Sequence, residues 1–269
     1  MNKNLIPLAG RIIIGFLVPL MMFFHSEITQ ANELPDPVSF RISIEMGDTE
    51  KASQWLDRGL DPNFQGDRLG SALHIAAWNG DTKMLALFMA KGARINLLNK
   101  NGETPLHMAS LQGKMATAEW LISKGANINP DPRAAAWSAL HYAAFSGKKE
   151  LVTRLLEKGA DLNARAPNGT TPLMSAIYEG KRDVADFLIR QGADRTLKND
   201  WGDGAFEWAV KYNQTDLAQL ISSREQFSSA FSRPAQRRPE TPIEKPRMTL
   251  LSPLVIQPTA SQKKRLLAR

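Results

Sequence analysis

The chain has 269 residues, 43% of them hydrophobic, which is ample for a packed core, and its formal net charge is +7. Ten Lys/Arg against three Glu put +7 beyond residue 221, while residues 1–31 carry +1 and residues 32–221 carry −1, so a nearly neutral body argues against broad phosphate tracking. The absence of cysteine excludes disulfides, thiolate catalysis, Cys-ligated zinc and a lipidated cysteine.

Residues 1–31 read as a signal peptide. Lys3 and Arg11 make a positive start, Ile12 to Phe24 is an apolar run of 13 residues, and Thr29-Gln30-Ala31 offers a small-residue cleavage site before Asn32. A spanning helix needs about 20 apolar residues, so cleavage after Ala31 is favoured over the alternative, an uncleaved anchor. The expected location is periplasmic or secreted, and the short polar start suggests bacterial export. Residues 32–37 read as an extended segment, because Pro35 and Pro37 each bias the preceding residue away from helix.

Over residues 38–221 one pattern returns. Ser71-Ala72-Leu73-His74, Thr104-Pro105-Leu106-His107 and Ser138-Ala139-Leu140-His141 are close copies, Thr171-Pro172-Leu173-Met174 is looser, and Gly204-Ala205-Phe206-Glu207 is looser still. The anchors Leu73, Leu106, Leu140, Leu173 and Phe206 advance by 33, 34, 33 and 33 residues, and Gly59, Gly92, Gly125, Gly159 and Gly192 keep the same period. The hydroxyl residues Ser71, Thr104, Ser138 and Thr171 suit N-caps, and Pro105 and Pro172 suit a first helical position. Small pairs such as Ala76-Ala77 and Ala143-Ala144 allow close helix approach, and Gly92, Gly125, Gly159 and Gly192 end each second helix. Trp55, Trp120 and Trp208 fall in helical apolar patterns and read as core. The extra residue behind the 34-residue step lies within 130–137.

A fixed period of 33 carrying Thr-Pro-Leu-His and Gly-Ala-x-x-Asn resembles the ankyrin repeat. The resemblance implies an all-α repeat solenoid of helix–turn–helix units with β-turn hairpins: about four full repeats between worn N- and C-terminal capping repeats. It extends to exported, periplasmic bacterial ankyrin-repeat proteins. It also implies that His74, His107 and His141 bond to neighbouring-repeat backbone. At a repeat spacing of about 10 Å they could not share a metal. Residues 222–269, rich in Pro, Ser and Arg, read as a disordered basic tail with one apolar island, Leu250 to Ile256, that could dock as an added strand.

In the ankyrin family the hairpin tips and the open side of the first helix form a concave partner surface. The residue two before each first-turn glycine lies on that side: here Trp78, Leu111, Phe145 and Tyr178, with Tyr212, Trp137 and Trp201 extending the row. Packing of these side chains against the neighbouring repeat is the structural alternative. No glycine-rich phosphate loop, paired catalytic carboxylates or nucleophile elbow occurs. No catalytic residue, cofactor or metal is therefore assigned. The expectation is a non-enzymatic, monomeric protein-interaction module, an adaptor or inhibitor, acting in envelope stress defence or toxin immunity. Its partner is a protein, not a nucleic acid on the repeat body, with weak anionic-surface contact through the tail. The alternatives are an envelope-tethered scaffold held by that tail and a secreted effector binding a host protein.

Overall fold

The computed structural model describes residues 34–67, 69–129 and 137–231. The signal-peptide reading, the 34-residue step and the tail beyond Phe231 concern residues outside these ranges. Among the described residues thirteen helices and one short β-ribbon form six helix pairs and a terminal helix. The first helices are α1 (Pro37–Glu45), α3 (Ala72–Asn79), α5 (Pro105–Gln112), α7 (Ala139–Phe145), α9 (Pro172–Tyr178) and α11 (Ala205–Lys211). The second helices are α2 (Thr49–Asp57), α4 (Thr82–Ala90), α6 (Met115–Ser123), α8 (Lys149–Glu157), α10 (Arg182–Arg190) and α12 (Thr215–Ile221), followed by α13 (Arg224–Phe231).

First helices stack on one another in chain order, and second helices line up behind them. The stacking surface follows from the repeated residues. Phe40, Leu73, Leu106, Leu140 and Leu173 are buried, as are Ala76, Ala77, Ala143 and Ala144, which have no bulk to hold neighbouring helices apart. Met84, Leu85 and Phe88 of α4 and Leu151, Val152 and Leu155 of α8 fill the second layer. Burying each large side chain is worth about 1.5–3 kcal/mol. Phe206, the last anchor, is only half-buried, and among the described residues no further repeat stacks on its helix.

Among the described residues, hairpins join successive pairs. Strands β1 (Gln65–Asp67) and β2 (Gly70–Ser71) are antiparallel, and Lys198 bridges Gly204 in the last hairpin. Asn99 Oδ1 accepts from the Asn101 and Glu103 amides, and Asn199 Oδ1 from those of Trp201 and Asp203, so each side chain closes its own turn.

Repeats are also tied by the asparagine of Gly-Ala-x-x-Asn. Asn63 Oδ1 accepts the Arg94 N–H, Asn96 that of Asn127, Asn129 that of Asp161 and Asn163 that of Asp194, at 2.8–2.9 Å. This ladder satisfies one backbone donor at each of the first four junctions that would otherwise be left open.

The boundaries differ from the sequence expectation at both ends. Pro37 begins α1 instead of extending the leading segment. Asp36 is the extended residue and caps the helix, accepting from the Val38 and Ser39 amides at 2.9 and 3.1 Å. Pro37 thus sits where a missing N–H costs nothing. At the other end, Arg224–Phe231 is helical, whereas the composition predicts a disordered tail from 222. Ser223 and Gln226 form a reciprocal cap, each side chain taking the other's amide hydrogen, and Phe227 stacks on Phe231 at 4.6 Å against the last repeat. Asn213 adopts φ 57°, the left-handed turn that glycine takes in the other described repeats.

Candidate functional site

The three repeat histidines are structural. In each, Nδ1 accepts the N–H of the N-cap residue: Ser71 for His74 (3.2 Å), Thr104 for His107 (3.1 Å) and Ser138 for His141 (3.2 Å). Since Nδ1 accepts, the proton belongs on Nε2, which donates to the carbonyl of Glu103 from His74 (3.0 Å) and of Thr170 from His141 (2.9 Å). Burial holds His74 and His141 at about 4 and His107 at about 3, far below the ordinary imidazole value. In His74 and His141 both ring nitrogens are committed, leaving no lone pair for a metal or a substrate proton.

The predicted partner-binding residues divide into two groups. Trp137, Phe145, Tyr178 and Tyr212 form a continuous aromatic chain of three contacts across two junctions. Trp137 lies 5.6 Å from Phe145, Phe145 stacks on Tyr178 at 6.3 Å, and Tyr178 meets Tyr212 edge-on at 5.0 Å. Trp78, Leu111 and Trp201 stand outside that chain. Trp78 and Leu111 are half-buried on α3 and α5, while Trp201 is 67% exposed at a hairpin tip.

Tyr178 does not belong to an open surface. It is only 3% exposed, enclosed by Phe145, Trp208 and Tyr212, and burial pushes its hydroxyl up to about 12. The reason is its larger neighbours: Trp208 and Tyr212 of the last repeat reach back over it. The accessible row is therefore Trp78, Leu111 and Phe145, with Trp137 and Tyr212 alongside. Trp55 and Trp208 are core as expected. Trp120 is not fully so: it is half-buried, with the Lys124 ammonium 5.9 Å from its ring centre.

Two further sets of residues were not singled out by the sequence. Glu103, only 8% exposed, accepts from the Tyr142 hydroxyl (2.8 Å), Asn99 Nδ2 (2.9 Å) and Asn101 Nδ2 (3.2 Å), locking a hairpin to the first helix of the next repeat. The signal available was slight: an acidic residue directly before Thr-Pro-Leu-His. The second set is Lys114, Lys148 and Lys181, each directly after a first-turn glycine, on the same period as the apolar row.

Stacked helix pairs with a fixed apolar row and structural histidines define a repeat scaffold that binds by surface presentation. The family model for ankyrin repeats matches residues 41–132, 73–166 and 140–229. The chain belongs to the ankyrin-repeat family, whose members are generally protein-binding modules without catalysis. No curated protein matches the chain.

Proposed function

We propose that the chain is an exported, non-enzymatic adaptor or inhibitor that binds another protein across its first-helix face, the concave face of this family. The observation that carries this reading is the row Trp78, Leu111 and Phe145: large apolar side chains, half-open on three successive first helices, held on a stack that needs no ordering to bind. Export rests on the positive start and apolar run of residues 1–31, with the mature chain beginning at Asn32. Support of a stress-defence enzyme and plugging of a toxin's cleft are the two roles that such a rigid surface serves.

The test is capture from gently released envelope contents, with the native chain beside a Trp78→Ala/Phe145→Ala variant of unchanged helicity. A protein retained only by the native chain supports the reading, and its identity selects adaptor or inhibitor. Equal retention by both rejects the face. Localisation outside the producing cell would instead point to an effector.

The charge of +7 beyond residue 221 favours a second reading, tethering to an anionic envelope surface. Salt-sensitive membrane association that disappears on deletion of 232–269 would support it; association unchanged by salt and deletion would reject it.

A further inference from the structure

The first residues of the second helices carry a charge pattern that packing does not require. In the early repeats Asp48 and Asp81 cap α2 and α4, accepting first-turn amides at 3.0 Å. In the next three repeats the cap position holds Lys114, Lys148 and Lys181, and none makes a side-chain cap hydrogen bond. A lysine there gives up the cap and sets a cation at the positive end of a helix dipole.

The stems of these lysines are nonetheless fixed. A Cβ on Gly80, Gly113 or Gly147 would come within 3.1, 2.6 or 2.8 Å of the Cδ of Lys114, Lys148 or Lys181 respectively. Each stem therefore lies across the glycine that ends the preceding first helix. At Gly113, with φ 68°, only glycine combines that turn with so close an approach. Among the described residues none of the three ammonium groups has an ion-pair partner, although Glu150 and Asp183 follow Lys148 and Lys181 two residues later on the same helices. In the last repeat the place is taken by Gln214, over Gly180, and the nearby Lys211 is paired with Asp203 at 3.5 Å. The cations are thus confined to the middle of the stack.

Two residues before those three glycines stand Trp78, Leu111 and Phe145. An apolar row and a cationic row consequently run side by side, both repeating at about 10 Å, the packing distance of stacked helices. Resting on the binding-face reading above, we infer that this surface takes an acidic amphipathic helix of a partner protein, its carboxylates against Lys114, Lys148 and Lys181 and its apolar side chains against Trp78, Leu111 and Phe145.

The spacing decides for a helix. In an extended segment about three residues span 10 Å, and residues three apart point to opposite faces, so carboxylates cannot reach successive lysines from one side. In a helix about seven residues span 10 Å, and residues seven apart share a face with apolar positions three or four residues on. The lysines are separated by roughly one Debye length at physiological salt, so each attracts its own counter-charge and the attraction weakens as salt rises.

The test uses a 21-residue peptide with Glu at every seventh position and Leu three and four residues after each, beside its Glu→Gln counterpart. Binding to the full chain is followed by fluorescence anisotropy. The expected result is a preference for the Glu peptide of ~10-fold or more, lost in K114Q/K148Q/K181Q and at high salt. The tail charge is the same in native and variant chains, so their difference reports the lysine row. Equal binding by native and lysine-variant chains, equal binding of the two peptides, or no binding of either overturns the inference. If both peptides bind equally and both need Trp78 and Phe145, the acidic helix falls while the binding face stands. If neither the lysine nor the aromatic substitutions change binding, both fall. A thymidine oligonucleotide that binds through the lysines as tightly as the Glu peptide would overturn the choice of a protein helix.

Discussion

Tyr142 donates its hydroxyl to Glu103 Oε1 at 2.8 Å across a repeat junction, in a site that excludes water from both side chains. The bond joins the hairpin before α5 to helix α7; burial first, then the Glu103 charge and this hydrogen bond, raise the tyrosine's pKa. Y142F removes one of three donors from the carboxylate. Hydrogen bonds to charged groups contribute about 1.5–3 kcal/mol, and that loss should appear as a lower urea midpoint with an unchanged slope. An unaltered midpoint would mean that Asn99 and Asn101 satisfy Glu103 by themselves.

Asn129 gives a different signature. Its Oδ1 accepts from the Asp161 amide at 2.8 Å and its Nδ2 donates to the Gly159 carbonyl at 2.9 Å, so one side chain makes two bonds to the next repeat. Asn129→Ala should cost ~1–3 kcal/mol. Because solenoid stability depends on nearest-neighbour coupling, it should also broaden or split the unfolding transition at that junction. A simple shift with full cooperativity would place the coupling elsewhere, in the packed helices.

The histidines predict a pH dependence with a definite sign. They are neutral in the folded chain down to about 4 for His74 and His141 and about 3 for His107, against 6.5 for an unburied imidazole. Above pH 6.5 both states are neutral and the term vanishes. Below it the unfolded chain takes up protons that the folded chain refuses, so stability falls as pH drops from 6.5 towards about 4. Each unit of separation is worth ~1.4 kcal/mol per histidine. Urea midpoints at pH 7.5, 6 and 5 should decline in that order; a flat series would contradict the buried neutral assignment.

Tyr178 and Trp201 should behave in opposite ways. Tyr178→Ala empties a site enclosed by three aromatic rings and should cost ~3–5 kcal/mol, as large core truncations do. Trp201→Ala, at an open hairpin tip, should stay within about 0.5 kcal/mol. Thermal melting of the two variants separates them directly.

The repeat architecture was legible because its physics is local and periodic. Leu73, Leu106, Leu140 and Leu173 mark the buried stripe, and Ser71, Thr104 and Ser138 with their histidines mark helix starts. Helix α13 was less legible because the segment beyond Ile221 is rich in Pro, Ser and Arg, although Ser223-x-x-Gln226 before Phe227 is a cap signal on a short amphipathic turn. The candidate face was legible only in part. Period placed Tyr178 in the row but could not show that Trp208 and Tyr212, with bulkier rings than the other repeats carry there, close over it. The lysine row is not legible in the sequence, because a charged residue after a turn glycine reads as solvent-facing; its significance comes from the stems seated on the preceding repeat.

The most direct measurement is site-specific photo-crosslinking in the producing cell. A benzoylphenylalanine would replace Leu111 on the proposed binding face or, separately, Lys158 at the end of α8 on the second-helix side. The account predicts a discrete protein adduct from position 111 and none from position 158. Adducts from position 158 alone, or equally from both, would contradict a binding face built on the first helices.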